Sequence, residues 1–396
     1  MMPTDFDPTA PLPGPPEPWA YASTPSRRDR PPYHLTDMIA AEPALARRVI
    51  ARVAGSPEAA NLADVIRSTV RDGAPVVVTG CGTSETAAMG MVEILRDALR
   101  TAGMPDANVA SAQAFELALD PLAKGLVIGV THEGGTTATN TAMRASGEAG
   151  ARTAVVTVSR RSPAGSVAQI VIETGELDQS WCHAVGYTSP MLAAAAIAGI
   201  LSGSSADGDG IATLLADGSS DAAAAERIAA QVGPATQLIV VASGADRPAG
   251  RELALKVEEA SWLPSAYRDL ETFLHGHFPA IGDDTGLVLL LTDRAGRAER
   301  LARARQLLAG TRVIGVRSAA ILATDLDGQL DPDLTPAGRL LVREAPGLPG
   351  PVAALFGTAT PLQLLTERIA RARGTNPDPI RRDDPVYKQA AEAAGG

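Results

Sequence analysis

Val76-Val77-Val78-Thr79-Gly80-Cys81-Gly82-Thr83-Ser84, followed by a helical pattern through Met89 and Leu95, is the stretch that decides the fold. A short apolar run without polar alternation is what a strand covered on both faces requires. The small residues after it let the chain turn, and Thr83 and Ser84 offer hydroxyls at the start of a helix. The pattern returns downstream. Leu126-Val127-Ile128 runs into Thr131-His132-Glu133-Gly134-Gly135-Thr136-Thr137 and a helix through Met143, and Ala154 to Val158 and Val171-Ile172 follow. Apolar runs alternating with helices predict βαβ units in a parallel sheet.

The same order then repeats. Gln237 to Val241 leads into Ala242-Ser243-Gly244 and a helix from about Ala249, and Gly286 to Leu290 matches Gly125 to Ile128. Thr311 is expected to open a third strand as Thr153 does. The pairs Gly82 and Gly244, Gly125 and Gly286, and Thr153 and Thr311 each lie about 160 positions apart, which implies a duplicated α/β unit. The expectation is therefore two tandem domains, residues 33–202 and 211–375, with the boundary in the strand-free Ser202 to Gly210. Residues 1–32 hold ten prolines; so many missing N–H donors predict a flexible arm. Order should begin near Tyr33, with Thr36 as a helix cap, and residues 376–396 form a tail.

Composition narrows the function. Only 3% of residues are aromatic, so the core must be built from Ala, Leu, Val and Ile. A net charge of −10 argues against nucleic acid. Cys81 and Cys182 cannot form a disulfide framework, and neither has zinc-site spacing, so reduced thiols and no metal are expected. The N-terminus lacks the apolar stretch of a signal peptide, and the longest apolar run, Met191 to Leu201, is too short to span a bilayer. A cytoplasmic protein without membrane contact is the expectation.

Ligands of open parallel sheets bind at the carboxyl ends of the strands, where loops and helix N-termini offer free N–H groups. Cys81-Gly82-Thr83-Ser84 and the Thr131 to Thr137 loop have the hydroxyls and glycines for an anion or polyol site there; taken singly, each also reads as a capped turn. A dinucleotide site is set aside, since Glu85 stands where the third glycine of GxGxxG would be. In the second half Glu252, Lys256 and Glu259 share one helical face, a pattern that also suits a solvated charged surface. His275-Gly276-His277 sits in a loop where glycine invites close ligand approach. His183, behind Trp181-Cys182, is expected in the core.

Together these segments resemble the isomerase half of glucosamine-6-phosphate synthase and related SIS-domain (sugar isomerase) isomerases and deaminases, over roughly residues 34–388. Cys81-Gly82-Thr83-Ser84, Leu255-Lys256-Val257-Glu258-Glu259-Ala260-Ser261 and His275-Gly276 carry the likeness most specifically, with Pro361 to Leu365 and Arg373-Gly374-Thr375 as the closing helix. The resemblance implies two SIS domains, each a parallel sheet flanked by helices in a flavodoxin-like three-layer sandwich, assembled as a homodimer without cofactor. It implies that Ser84 touches the sugar and that Thr131 and Thr136 touch a phosphate. Glu259 would move a proton between C1 and C2, Lys256 would assist the enediol oxyanion, and His275 would open the ring from the neighbouring subunit. From the loops themselves His132, Gly134 and His277 are expected at the substrate, and the resemblance implies that Lys388 matches a C-terminal lysine that closes over it.

Three departures qualify this. No glutaminase half or N-terminal cysteine precedes the region, so glutamine is not expected as nitrogen source. Glu133 replaces a phosphate-binding serine, and a carboxylate would repel a phosphate by about 4 kcal/mol at about 4 Å and an effective dielectric constant of roughly 20. His277 stands where the family has proline. The expected function is an aldose–ketose isomerase or amino-sugar deaminase acting on a sugar or sugar phosphate through an enediol or enolamine. A non-catalytic carbohydrate sensor and a deglycase of a sugar–amino-acid conjugate are the alternatives.

Overall fold

The structure, a computed structural model, describes residues 6–15 and 27–394. Helices α1 (His34–Ala54) and α2 (Pro57–Arg71) precede the first sheet. Its elements follow in order: β1 (Val76–Gly80), α3 (Thr83–Thr101), β2 (Val109–Gln113), α4 (Ala114–Leu119), β3 (Leu126–Val130), α5 (Thr137–Ala149), β4 (Arg152–Thr157) and β5 (Ile170–Glu173). Three helices, α6 (Val185–Ser202), α7 (Gly208–Gly218) and α8 (Ala222–Val232), lead to the second sheet. There the order is β6 (Gln237–Ala242), α9 (Arg247–Ser261), β7 (Ser265–Asp269), α10 (Leu270–Leu274), β8 (Thr285–Leu291), α11 (Arg297–Ile314), β9 (Arg317–Ala323) and β10 (Gly338–Val342). Helices α12 (Gly350–Arg373) and α13 (Pro385–Ala393) close the chain.

Both sheets are five-stranded and parallel throughout. The first runs β2-β1-β3-β4-β5 and the second β7-β6-β8-β9-β10, the same order element for element. In each, the chain reverses its direction of travel between the first and third strands, the place where open α/β sheets bind ligands. The strands form because runs such as Leu126 to Val130 are buried on both faces. One core cluster extends from the first sheet through α1, α3, α6, α9 and α12 to the second. Smaller clusters lie on the opposite faces, under α11 and under α4 and α5.

Among the described residues, α6 is the one helix long and apolar enough to cross a membrane; its mean hydropathy is 1.4 and 89% of it is buried inside the fold. It packs between α1 and α3 as a core element. Its length exceeds the apolar run Met191 to Leu201 because Val185 to Pro190, though mixed in polarity, are buried too.

Three local expectations change. The third strand of the second sheet opens at Arg317 rather than Thr311. Val313 and Ile314 complete α11, which ends at Gly315 with φ +89, and the Thr311 hydroxyl is satisfied by Leu308 O and Ser318. Helix α1 starts two residues before Thr36, and Asp378 holds its end: the carboxylate accepts from His34 N at 2.8 Å and Leu35 N at 2.9 Å. Third, the described part of the proline-rich segment is docked, not free. Leu12 is buried, its N–H reaches Glu176, and the Thr9 and Pro13 carbonyls accept from Arg48 and Leu177 N. Proline removes donors but leaves acceptors, so such a segment can dock through its carbonyls. Residues 1–5 and 16–26 of that segment lie outside the described residues.

Candidate active site

A cleft with an empty volume of about 780 Å³, its open mouth included, lies at the carboxyl ends of β1 and β3. Cys81, Gly82, Thr83 and Ser84 line one side, and Thr131, His132, Glu133, Gly135 and Thr136 the other. Gly80 makes the first loop tight, because a Cβ there would stand 2.6 Å from the Ser84 backbone. Gly82 follows at φ +57 and starts the 19-residue α3, whose N-terminus borders the cleft, although Ser84 N–H already donates to the Cys81 carbonyl and Glu85 and Thr86 N–H to that of Gly82. Across from it Thr136 stands at the N-cap position of α5 without a side-chain capping bond, and Thr131 Oγ1 donates to Thr136 Oγ1 at 3.2 Å. Two helix N-termini and four hydroxyls converge there, an arrangement suited to a polyol or an anion. The Cys81 thiol is pushed up by burial, which keeps it from acting as a thiolate nucleophile.

Helix α9 brings Glu259 to the same cleft. Its carboxylate accepts from Lys256 Nζ at 2.6 Å, and Glu252 Oε1 stands 3.6 Å from the same ammonium. Lys256 and Glu252 are fully buried, so the charged face allowed by the spacing is turned inward. Burial alone would lower the lysine's pKa, but Glu259 and Glu252 outweigh it and hold Lys256 above the usual lysine range. Thr86 of α3 donates to Glu252 Oε2 at 2.5 Å, which ties the helix of the first loop to the helix that carries Glu259.

Behind the second loop, Asp178 organises two histidines. Its backbone N–H donates to His132 Nε2 at 2.9 Å, and its carboxylate accepts from Ser180 N and Gly186 N. Burial, with His183 adding to it, pushes the His132 pKa down to about 4, so the ring is neutral with its proton on Nδ1. Burial would raise the Asp178 pKa, but the histidines and the N–H donors reverse this and leave it lowered. His183 Nδ1 lies 3.5 Å from Asp178 Oδ2, and the two histidine rings are 5.6 Å apart. Half-buried Glu133 is held above the usual carboxyl range chiefly by burial, with His183 and Arg382 opposing.

The C-terminal segment supplies the last wall. Ile380 and Arg382 line the cleft, and the Arg382 guanidinium stacks 3.7 Å from the Trp181 ring. Ile380 (φ +42) and Arg381 (φ +64) adopt left-handed backbone, costly for a β-branched residue, and Arg381 is clamped between the Trp262 and Tyr387 rings.

The sequence-derived candidates thus divide. Cys81, Gly82, Thr83, Ser84, Thr131, His132, Glu133, Thr136 and Glu259 meet in the cleft, and Lys256 stands behind Glu259. Gly134 faces away, packed on Ser162, with its carbonyl accepting from Asn140. His275 does not line the cleft of its own chain; its side chain is 66% exposed and bonds Glu271 at 2.7 Å. His277 accepts from Arg268, and Lys388 is exposed on α13. His183, expected in the core, is only partly buried and lines the cleft instead, and Trp181, Gly186, Ile380 and Arg382 line it without having been proposed as site residues. Among the described residues no group of three or more His, Cys, Asp or Glu is placed to hold a metal ion.

The matching crevice of the second sheet is also open, with an empty volume of about 880 Å³ bordered by Gly244, Ala245, Asp293, Ala295 and Arg300, but its own carboxylates take up the backbone amides. Asp246 accepts from the N–H groups of Thr292 and Asp293, and Asp293 accepts from those of Ala245 and Ala295 as well as from Arg300. The amides that would face a ligand there are engaged.

No protein-family model matches this sequence, and no curated protein matches it at a significant level. Solved structures do match its fold. The C-terminal domain of glucosamine-fructose-6-phosphate aminotransferase from Francisella tularensis aligns with a TM-score of 0.75 at 16% identity, covering 89% of this chain and all of that one. Tagatose-6-phosphate ketose/aldose isomerase from Escherichia coli gives 0.70 at 16% identity, covering 90% and 97% of the two chains. Glucosamine-6-phosphate deaminase from Thermotoga maritima gives 0.57 at 15% identity, covering 84% and 96%. With two parallel five-stranded sheets flanked by helices, the chain has the sugar-isomerase (SIS) fold that its sequence resembles.

Proposed function

We propose that this protein is a sugar or sugar-phosphate aldose–ketose isomerase, or an amino-sugar deaminase, acting at C1–C2 through an enediol or enolamine. Its halves, residues 33–202 and 211–375, are tandem SIS domains with one working cleft between α3, α5 and α9. The observation that carries the reading is Glu259: a carboxylate of the second half, held at 2.6 Å by a buried lysine, facing hydroxyl-rich helix N-termini of the first half. Such chemistry needs a base beside an acidic C–H and donors for the oxyanion that forms next to it. Glu259 is the base. Lys256 directs it, while the Ser84 hydroxyl at the N-terminus of α3 receives the enediolate oxygen. Thr131, Thr136 and Arg382 suit the far end of the ligand, where Glu133 disfavours a full phosphate dianion unless Arg382 offsets it. His275 would act only in the cleft of a second copy, as a homodimer would allow.

The test is proton NMR in D₂O with a panel of hexoses, amino sugars and their 6-phosphates. Enzyme-dependent loss of one compound's C2 proton signal, absent with Glu259→Gln, is the expected result. A fully active Glu259→Gln variant overturns it.

A further inference from the structure

Resting on that reading, we infer that His183, oriented by Asp178, is the chain's own acid–base for opening the sugar ring. His183 borders the cleft at the start of α6, beside Trp181 and across from Glu133. Its ring is fixed from behind. A Cβ on Gly186 would lie 3.0 Å from the His183 Cβ and Cγ and 3.3 Å from Nδ1, so glycine alone lets the ring sit this close. Nδ1 is buried against Asp178 Oδ2 at 3.5 Å, an approach that would tighten to a hydrogen bond with ligand in place. Asp178 cannot turn away, because Ser180 N and Gly186 N hold its two oxygens at 2.9 and 3.0 Å. Nδ1 is buried while the side chain as a whole is 25% exposed and lines the cleft, so the edge opposite Nδ1 is the one left to meet a ligand. A buried carboxylate behind one imidazole nitrogen and a ligand cleft before the other is the arrangement of an acid–base histidine.

The step balances on one nitrogen. Nε2 takes the proton of the anomeric hydroxyl as the C1–O1 bond becomes a carbonyl and the C1–O5 bond breaks. It then hands that proton to the departing O5, so the imidazole ends as it began and no other reactant is consumed. The open aldehyde is the form whose C2 proton Glu259 removes.

The experiment separates ring opening from enolisation. Hydrogen exchange is followed at C2 of glucose 6-phosphate and glucosamine 6-phosphate and at C1 of fructose 6-phosphate, as ring-forming probes. Erythrose 4-phosphate, whose phosphorylated O4 prevents a five-membered ring, is the open-chain probe. His183→Gln should slow exchange of the ring-forming probe that the wild type uses by about a hundredfold or more, while exchange of erythrose 4-phosphate stays within about threefold. Asp178→Asn should show the same split, which a purely structural role would not produce, whereas His275→Gln should not. His183→Asn provides a second variant of the same position. Equal loss on both kinds of probe, or no loss on either, overturns the assignment of His183 and leaves Glu259 standing. Wild-type protein that exchanges no probe overturns both readings together.

Discussion

Lys256 and Glu259 share a 2.6 Å hydrogen bond across the boundary between core and cleft: the lysine side chain is 1% exposed and the glutamate 22%. The ammonium therefore has no solvent to fall back on, and Glu252 depends on it as well. Removing one partner of a buried pair leaves the other uncompensated and costs roughly 3–5 kcal/mol. Lys256→Met should lower folding stability by about that amount in urea denaturation. Glu259→Gln keeps an acceptor for the lysine and reaches water, so it should cost stability little while removing exchange.

Gly80→Ala is expected to disturb the cleft from beneath. The new methyl would meet the Ser84 backbone at 2.6 Å, and that backbone belongs to the first turn of α3. Overpacking of this kind costs roughly 1–3 kcal/mol. Thermal melting should show the loss, and ligand affinity should fall with it because Ser84 moves.

Stability should fall with rising pH through one identifiable group. Glu42 is fully buried, and burial pushes its pKa to about 8 despite hydrogen bonds from Gln363 and Thr188. The native state therefore keeps a proton that the unfolded chain releases at ordinary carboxyl values. Its contribution is complete below the unfolded value near 4.5 and disappears as pH rises through about 8, with a slope of at most about 1.4 kcal/mol per pH unit. Asp246, raised to about 6 by burial, acts in the same direction at lower pH. Urea denaturation from pH 5 to 8 should show this decline, and Glu42→Gln should flatten it and exceed the wild type at pH 8. Parallel curves would assign the decline elsewhere.

Arg382→Ala removes the one cationic guanidinium that lines the cleft among the described residues. A charge-assisted contact of this kind is worth roughly 1.5–3 kcal/mol. Affinity for a phosphorylated ligand should therefore fall about tenfold to a hundredfold, and affinity for its unphosphorylated counterpart much less. Calorimetric titration of the two compounds checks this; equal losses would detach Arg382 from the phosphate.

What was legible in the sequence follows from what is local. Val76 to Val78 and Leu126 to Ile128 announced buried strands because a parallel strand needs apolar residues on both faces, and the small residues after them marked the turns. Val313 and Ile314 misled, since two apolar residues fit the last turn of a helix as well as the first of a strand. The docked proline-rich segment was illegible because carbonyl acceptors carry no residue code. Glu259 was found through the resemblance carried by Leu255 to Ser261, since its spacing from Lys256 suited a solvated face as well. His183 was assigned to the core because the groups that bring it to the cleft, Asp178 and Gly186, act through backbone geometry and close approach. Those two residues, five before and three after it, were the available signal.

The self-satisfied amides of the second sheet's crevice have a consequence for counting. They are already satisfied by Asp246 and Asp293, so a molecule arriving there would have to compete with groups tethered to the same backbone. Two architecturally equivalent halves should thus behave as unequal partners, one receiving and one supporting. A titration should saturate at a single equivalent per chain, and the symmetry visible in strand order would leave no trace in the stoichiometry.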